Sequence, residues 1–290
     1  MRYMMEITMN NKKSLAQVHI AVLLFGIAGL FGKMVLLPAS IIVIGRVFFS
    51  STFLLLYLLG TKKGIRMKER KHIFYFLMMG VTLAIHWSTF FQSIQVSTVA
   101  IGLLTFSTFP VFVTFLEPMF FKEKIMSRDI CIAIITFLGI LFVVPSFHIG
   151  NSDTQGILWG TVSGFTYGIL SMLNRKMAKV YSGTLIAFYE QVIAFAVLLP
   201  FFFWEQPIIT IKNILLFILL GIAFTGISHS LFINGLKNLK TQVAGIISSL
   251  EPVYGIVFAM IFMNEIPSKR EIVGGVIILG TALYSTVKNK

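Results

Sequence analysis

Apolar residues run in long blocks along this chain, separated by short polar connections. Ten blocks of about twenty positions are visible: 18–36, 40–59, 73–91, 98–121, 130–147, 156–173, 184–203, 213–234, 243–263 and 271–287. Twenty residues at 1.5 Å each match a hydrocarbon core of about 30 Å. Lipid offers no partner for backbone N–H and C=O groups, so each block is predicted to be a helix. The expected fold class is an all-α integral membrane protein with ten transmembrane helices. Lys12 and Lys13 before the first block imitate a signal peptide, but no convincing cleavage site follows, and the block is kept as a helix.

The blocks also repeat. FPVFVTFLEPMFFKEKIMSRD at 109–129 aligns with EPVYGIVFAMIFMNEIPSKRE at 251–271, a constant offset of 142 residues. Pro110 then matches Pro252, Glu123 matches Glu265, Arg128 matches Arg270 and Asp129 matches Glu271. The offset divides the chain into two five-helix repeats, 1–149 and 150–290. Five is odd, so the second repeat enters the membrane inverted relative to the first. Inverted repeats enclose a midplane substrate site in many secondary transporters.

Composition agrees with the pattern. Hydrophobic residues make up 57 % of the 290 and charged residues 12 %, against about 25 % charged in soluble domains. The formal charge of +13 does not indicate a nucleic-acid partner, because the basic residues sit in connections rather than on a polar domain. Nineteen of the 24 Lys and Arg fall in the two terminal segments and the even-numbered connections, while Lys212, Lys269 and Arg270 fall in the odd ones. By the positive-inside rule this places both termini in the cytoplasm, in the inner or plasma membrane. The single cysteine, Cys131, lies in an apolar run and reads as a buried thiol. Gly156, Gly160, Gly164 and Gly168 form a stripe on the sixth helix that lets a neighbour approach closely.

No phosphate-binding loop, zinc-protease motif or nucleophile elbow occurs, so no catalytic residue, metal or cofactor is expected. Chemistry rests on ionisable and aromatic residues at depth, which usually face a cavity or a partner. Glu251, in SSLEPVYG, lies about eight residues into the ninth block, and Pro252 after it frees a backbone carbonyl. Glu190 in the seventh block and Arg46 in the second occupy comparable places in the two halves and are expected to pair. His86 and Trp87 lie in the third block, with His229 opposite Trp87 under the offset. Tyr167, Tyr189 and Tyr254 offer faces for a planar or cationic substrate. The expected substrate-binding set is Arg46, His86, Trp87, Tyr167, Glu190, His229 and Glu251. Glu251, Glu190 and Lys33 are the coupling or counter-ion candidates, although Lys33 also reads as a residue that snorkels to the headgroups. Gln92 and Asn234, matched under the offset, read as bridges between helices. Glu117 lies close to the inner end of the fourth helix, while Glu123 and Glu265, at matched helix ends, read as structural partners of local basic residues.

On these features the chain resembles the drug/metabolite transporter superfamily, in particular its EamA-type ten-helix members. The resemblance rests on the double five-helix repeat, the spacing Pro110…Glu123 and Pro252…Glu265, the Glu251–Pro252 dipeptide, Gly139 and Gly280, and Arg46. Members often carry Trp-Gly in the first helix, where this chain has Phe25-Gly26. The resemblance implies a carrier, with export expected, for amino acids, other small metabolites or drug-like compounds. It implies alternating access, with proton coupling in many members. Helices one to four and six to nine would line the cavity, and the fifth and tenth would sit at the rim and support a homodimer. A non-transporting receptor or scaffold, a channel, and a lipid-modifying enzyme are the competing classes. The expected partners are a small-molecule substrate, membrane lipid and a coupling ion.

Overall fold

The structure is a computed structural model that describes residues 2–62, 64–121, 127–143, 150–236 and 247–288. The described residues contain no strand. Helix α1 (Arg2–Met34) leads to α2 (Ala39–Gly60) and α3 (His72–Val96). Two short helices follow, α4 (Val99–Phe106) and α5 (Phe109–Phe121), and α6 (Ser127–Val143) completes the first half. The second half runs through α7 (Ser152–Met177), α8 (Gly183–Glu205), α9 (Ile211–Gly221), a π-helical turn (Ile222–Ile227) and α10 (Ser228–Leu236). It ends with α11 (Glu251–Met263) and α12 (Lys269–Lys288).

Ten spans emerge, as two inverted five-helix repeats. Six helices are individually long and apolar enough to cross a membrane. Three of the ten spans, one of the six included, depart from simple helices, each for a local reason. The fourth is broken at Ser107–Thr108, because Pro110 lacks an N–H and is tolerated only in the first turn of a helix. The hydroxyls of Ser107 and Thr108 add second hydrogen bonds to the carbonyls of Leu103 and Thr105, which also accept the backbone N–H groups of the same two residues. The ninth breaks at the matching place, a turn at 249–250, with Pro252 in the first turn of α11. The eighth contains the π turn, where Thr225 Oγ1 donates to Leu220 O five residues back at 2.8 Å.

Helix pairings come in matched sets, as an inverted repeat requires. The pair α3 with α7 mirrors α10 with α1, and α11 with α1 mirrors α4 and α5 with α7. The pairs α2 with α8 and α6 with α12 each lie across the pseudo-axis. Buried residues of α1, α2, α3, α4, α7 and α8 form one large apolar core. Outside it, large apolar side chains such as Phe137, Trp204 and Phe262 are exposed. That surface suits lipid rather than water.

The glycine stripe lies against α3, α4 and α5. A methyl group at Gly156 would overlap Ser97 Oγ, and one at Gly160 would overlap Thr105 Oγ1. Ser93 Oγ donates to Gly156 O across this seam. Cys131, read as buried, is instead exposed on α6 among exposed Ile130, Ile134 and Ile135. In a membrane protein an apolar run faces lipid as readily as core, so its residues cannot be placed inside by hydropathy alone.

Candidate functional site

Arg46 organises the centre of the bundle. It projects from α2 and is only 4 % exposed. Its guanidinium lies 3.8 Å from the centroid of the Trp87 ring on α3, and Phe91 stands further off at 5.7 Å. Stacking of this kind is worth about 2 kcal/mol when desolvated. Arg46 Nε donates to Thr225 Oγ1 at 2.7 Å. Thr225 can accept there because the π turn directs its own proton to Leu220 O. Among the described residues no ion pair engages Arg46, and Nε makes its one hydrogen bond. The two terminal nitrogens therefore present a fork that fits a carboxylate or phosphate.

Aromatic rings wall this fork. Trp87 meets His229 of α10 edge to face at 5.8 Å, and His229 meets Phe25 of α1 at 5.0 Å. The offset of 142 thus relates two residues that touch across the pseudo-axis. Glu251 is the first residue of α11 and is half-buried at the helix break. It lies within electrostatic range of Arg46, without a direct ion pair. Gly26 makes this geometry possible, since a methyl group there would stand 2.8 Å from Glu251 O and 2.9 Å from Gly255 N. Phe25-Gly26 therefore brings α1 against the backbone of α11 at Glu251 and Gly255.

A second cluster adjoins the first. His86 Nδ1 lies 3.0 Å from Ser163 O and donates to it, while Ser163 Oγ donates to His86 O at 3.1 Å. The His86 ring packs on Tyr167 at 5.0 Å and Phe106 at 5.3 Å. Tyr167 lies within electrostatic range of both Glu251 and Glu190. His86 is likewise in range of Arg46 and His229. The structure therefore brings Arg46, His86, Trp87, Tyr167, Glu190, His229 and Glu251 into one central region contributed by both halves.

Three expectations do not fit this geometry. Arg46 and Glu190 do not pair: Glu190 is 4 % exposed, lies beside Asn174 of α7, and keeps Oε1 without a partner. The two positions share depth but not a face. Lys33 does not reach the central region either. Its Nζ donates to Ser97 O and Gln95 O, capping the carbonyl end of α3. Tyr189 leaves the centre as well, donating its hydroxyl to Ile65 O in the 61–71 connection.

Lys33 belongs to a polar latch at one end of the bundle. Glu265 Oε1 accepts the N–H groups of Val99 and Ala100 at the start of α4. Glu271 Oε1 accepts from Thr98 Oγ1 at 2.8 Å, and Oε2 accepts from Ser268 N at 2.6 Å. Glu265, read as a partner of local basic residues, is thus held chiefly by backbone of the other half, with Lys33 in electrostatic range. The side chains of Glu117 and Glu123 lie outside the described residues.

Thr225 was missed in the sequence, where one threonine in an apolar run carries little weight. The available signal was its setting, Thr225-Gly226 four residues before His229. A π turn and its i to i−5 bond have no periodicity signature that would have singled it out.

The chain is similar to known proteins over most of its length. The EamA-like transporter family matches the chain twice, over residues 13–144 and 154–287. An uncharacterized transporter of Archaeoglobus fulgidus is 26 % identical over 198 residues, 68 % of this chain and 71 % of its own length. An S-adenosylmethionine uptake transporter of Rickettsia conorii is 24 % identical over 251 residues, 84 % of this chain and 82 % of its own. A solved crystal structure superposes with a TM-score of 0.66 over 93 % of this chain and 94 % of that one, at 15 % identity. At that identity the likeness is one of fold alone.

Proposed function

The chain belongs to the EamA-like transporter family, and from that premise we propose that it carries a small zwitterionic metabolite through the central region by alternating access. The observation that supports the substrate class is Arg46, buried, stacked on Trp87 and tethered by Thr225, with a fork free for an anionic group. Trp87, His229 and Phe25 offer faces for a flat ring. Glu251, at a helix break in electrostatic range, suits a cationic group or a coupling proton. Broken helices meeting at a midplane site are a recurring construction in carriers.

S-adenosylmethionine has a carboxylate, cationic centres and a purine ring, and a relative is named for its uptake. It is the first probe, with aromatic amino acids as the second. A carrier runs in either direction as its gradients dictate, so one alternating site serves the export expected from the resemblance as well as uptake. The basic connections orient the protein with both termini in the cytoplasm.

The test is thermal stabilisation of purified protein in detergent at two pH values. A ligand at 100 times its Kd stabilises the folded state by about 2.7 kcal/mol. Wild type is expected to shift with S-adenosylmethionine or an aromatic amino acid, and Arg46→Ala to lose the shift. Stabilisation that is equal in wild type and Arg46→Ala would remove the zwitterion reading. Glu251→Gln in proteoliposomes is expected to fold and exchange substrate but to lose pH-driven accumulation. Normal pH-driven accumulation in that variant would assign coupling elsewhere.

A further inference from the structure

The connection between α2 and α3 is the most basic stretch of the chain. Lys62, Lys63, Arg66, Lys68, Arg70 and Lys71 stand there with one acid, Glu69. Orientation in the membrane requires positive charge on one side, but it does not require the charge to be built into a fixed shape. Here it is. The Lys68 N–H donates to Tyr181 Oη at 2.9 Å, and the same oxygen bonds His72 Nδ1 at 2.8 Å. The Tyr189 hydroxyl donates to Ile65 O. Gly64 at φ +68° makes the turn that returns the loop toward α8. Two tyrosines of the second half thus hold a loop of the first.

The held loop borders an open, solvent-exposed cavity of about 690 Å³ lined by Arg66, Met67, Lys68 and Arg70. Glu69 neutralises Lys71 at 2.6 Å. Among the described residues no ion pair engages Arg66, Lys68 or Arg70. By contrast Lys176, in the last turn of α7, has its head bonded to Tyr75 Oη at 2.7 Å. The cavity lies just before the start of α3. Ile73, Leu77, Val81 and Ile85 follow on α3 at a spacing of four, each exposed, and form one lipid-facing stripe leading away from it. Phosphate-binding cations at one end of an apolar track match the two parts of a phospholipid.

We propose that this cavity binds the headgroup of an anionic glycerophospholipid, with Arg66, Lys68 and Arg70 on the phosphate and the acyl chains along the α3 stripe. Phosphate is the chemistry recognised, and the stripe is what favours a lipid over the free ion. A bound lipid would hold the tyrosine-stapled loop and so brace the two halves at their basic end.

The test is native mass spectrometry of the full chain released from vesicles of phosphatidylcholine with and without phosphatidylglycerol. Wild type is expected to retain phosphatidylglycerol and not phosphatidylcholine. Arg66→Gln, Lys68→Gln and Arg70→Gln combined should lower retention by roughly 100-fold, about fivefold per basic residue at a membrane surface. Lys12→Gln, Lys13→Gln and Lys179→Gln combined remove the same charge elsewhere and should leave retention unchanged. The charge-keeping pair Arg66→Lys and Arg70→Lys should keep binding, which separates loss of the site from loss of folding. Equal loss in both charge-removal triples overturns the site in favour of diffuse attraction. Displacement of the lipid by inorganic phosphate assigns the cavity to the free ion and also overturns it.

Discussion

Thr225 is the residue on which the central geometry turns. It accepts from Arg46 Nε while donating to Leu220 O, so its one hydroxyl joins the arginine to the π turn. Thr225→Val keeps the shape and removes the acceptor, leaving a buried charged donor unmatched. The expected destabilisation is about 1–3 kcal/mol, read as a lower Tm, with Thr225→Ser close to wild type. An unchanged Tm in the valine variant would mean that stacking on Trp87 alone holds Arg46. Most central residues could be picked from the sequence, because an ionisable or aromatic side chain at depth has few uses. Their partners could not. Arg46 was matched to Glu190 by depth, whereas the side chain follows the helix face toward Thr225 and Glu251. Lys33 was read by depth too, and its four-carbon stem takes the ammonium to the end of α3 instead.

Between elements, backbone approach and the latch set what can move. Gly26→Ala would push α1 from α11, because the added methyl meets the backbone at Glu251 and Gly255 rather than a yielding side chain. Transport in proteoliposomes is expected to fall more than tenfold while the protein stays monodisperse, and near-normal transport would show that α1 and α11 separate freely. The latch carries a pH dependence. Burial pushes the Glu265 carboxyl above its ordinary 4.5, with its bonds to Val99 and Ala100 and the nearby Lys33 opposing the shift. A raised value means that the latched form binds a proton more readily than an opened form, where Glu265 meets water. Lowering pH through that window therefore favours the latch, and raising it loosens the latch. Hydrogen exchange over residues 97–103, corrected for intrinsic rates, should show protection falling as pH rises, with the trend lost in Glu265→Gln. Flat protection in wild type would remove Glu265 as the sensor. The helix break at Ser249–Leu250 was half legible: Pro252 announced a lost backbone hydrogen bond, but a lost bond does not by itself say that a new helix starts and that Glu251 opens α11.

Over the whole molecule the repeat was the most legible feature, since paired helices such as α3–α7 and α10–α1 follow from one offset. The site was less legible because it breaks that symmetry. Glu251 matches Phe109, and Arg46 matches Phe188, so the charges occur once each. Inversion also fixes sidedness, which single cysteines can read. Cys131 is exposed on α6 and must first be replaced by serine. Ile208, 85 % exposed in the connection after α8, and Arg66, exposed in the connection after α2, then serve as single cysteine positions. The census of basic residues puts six Lys and Arg beside Arg66 or at it, and one, Lys212, near Ile208. A membrane-impermeant maleimide should label Ile208→Cys in intact cells and label Arg66→Cys only after permeabilisation. Substituting Arg66 removes one charge of the many on that side, too few to reverse insertion. Labelling of both positions in intact cells would contradict an odd number of spans between them, and the reverse pattern would place the termini and the lipid cavity on the outer face.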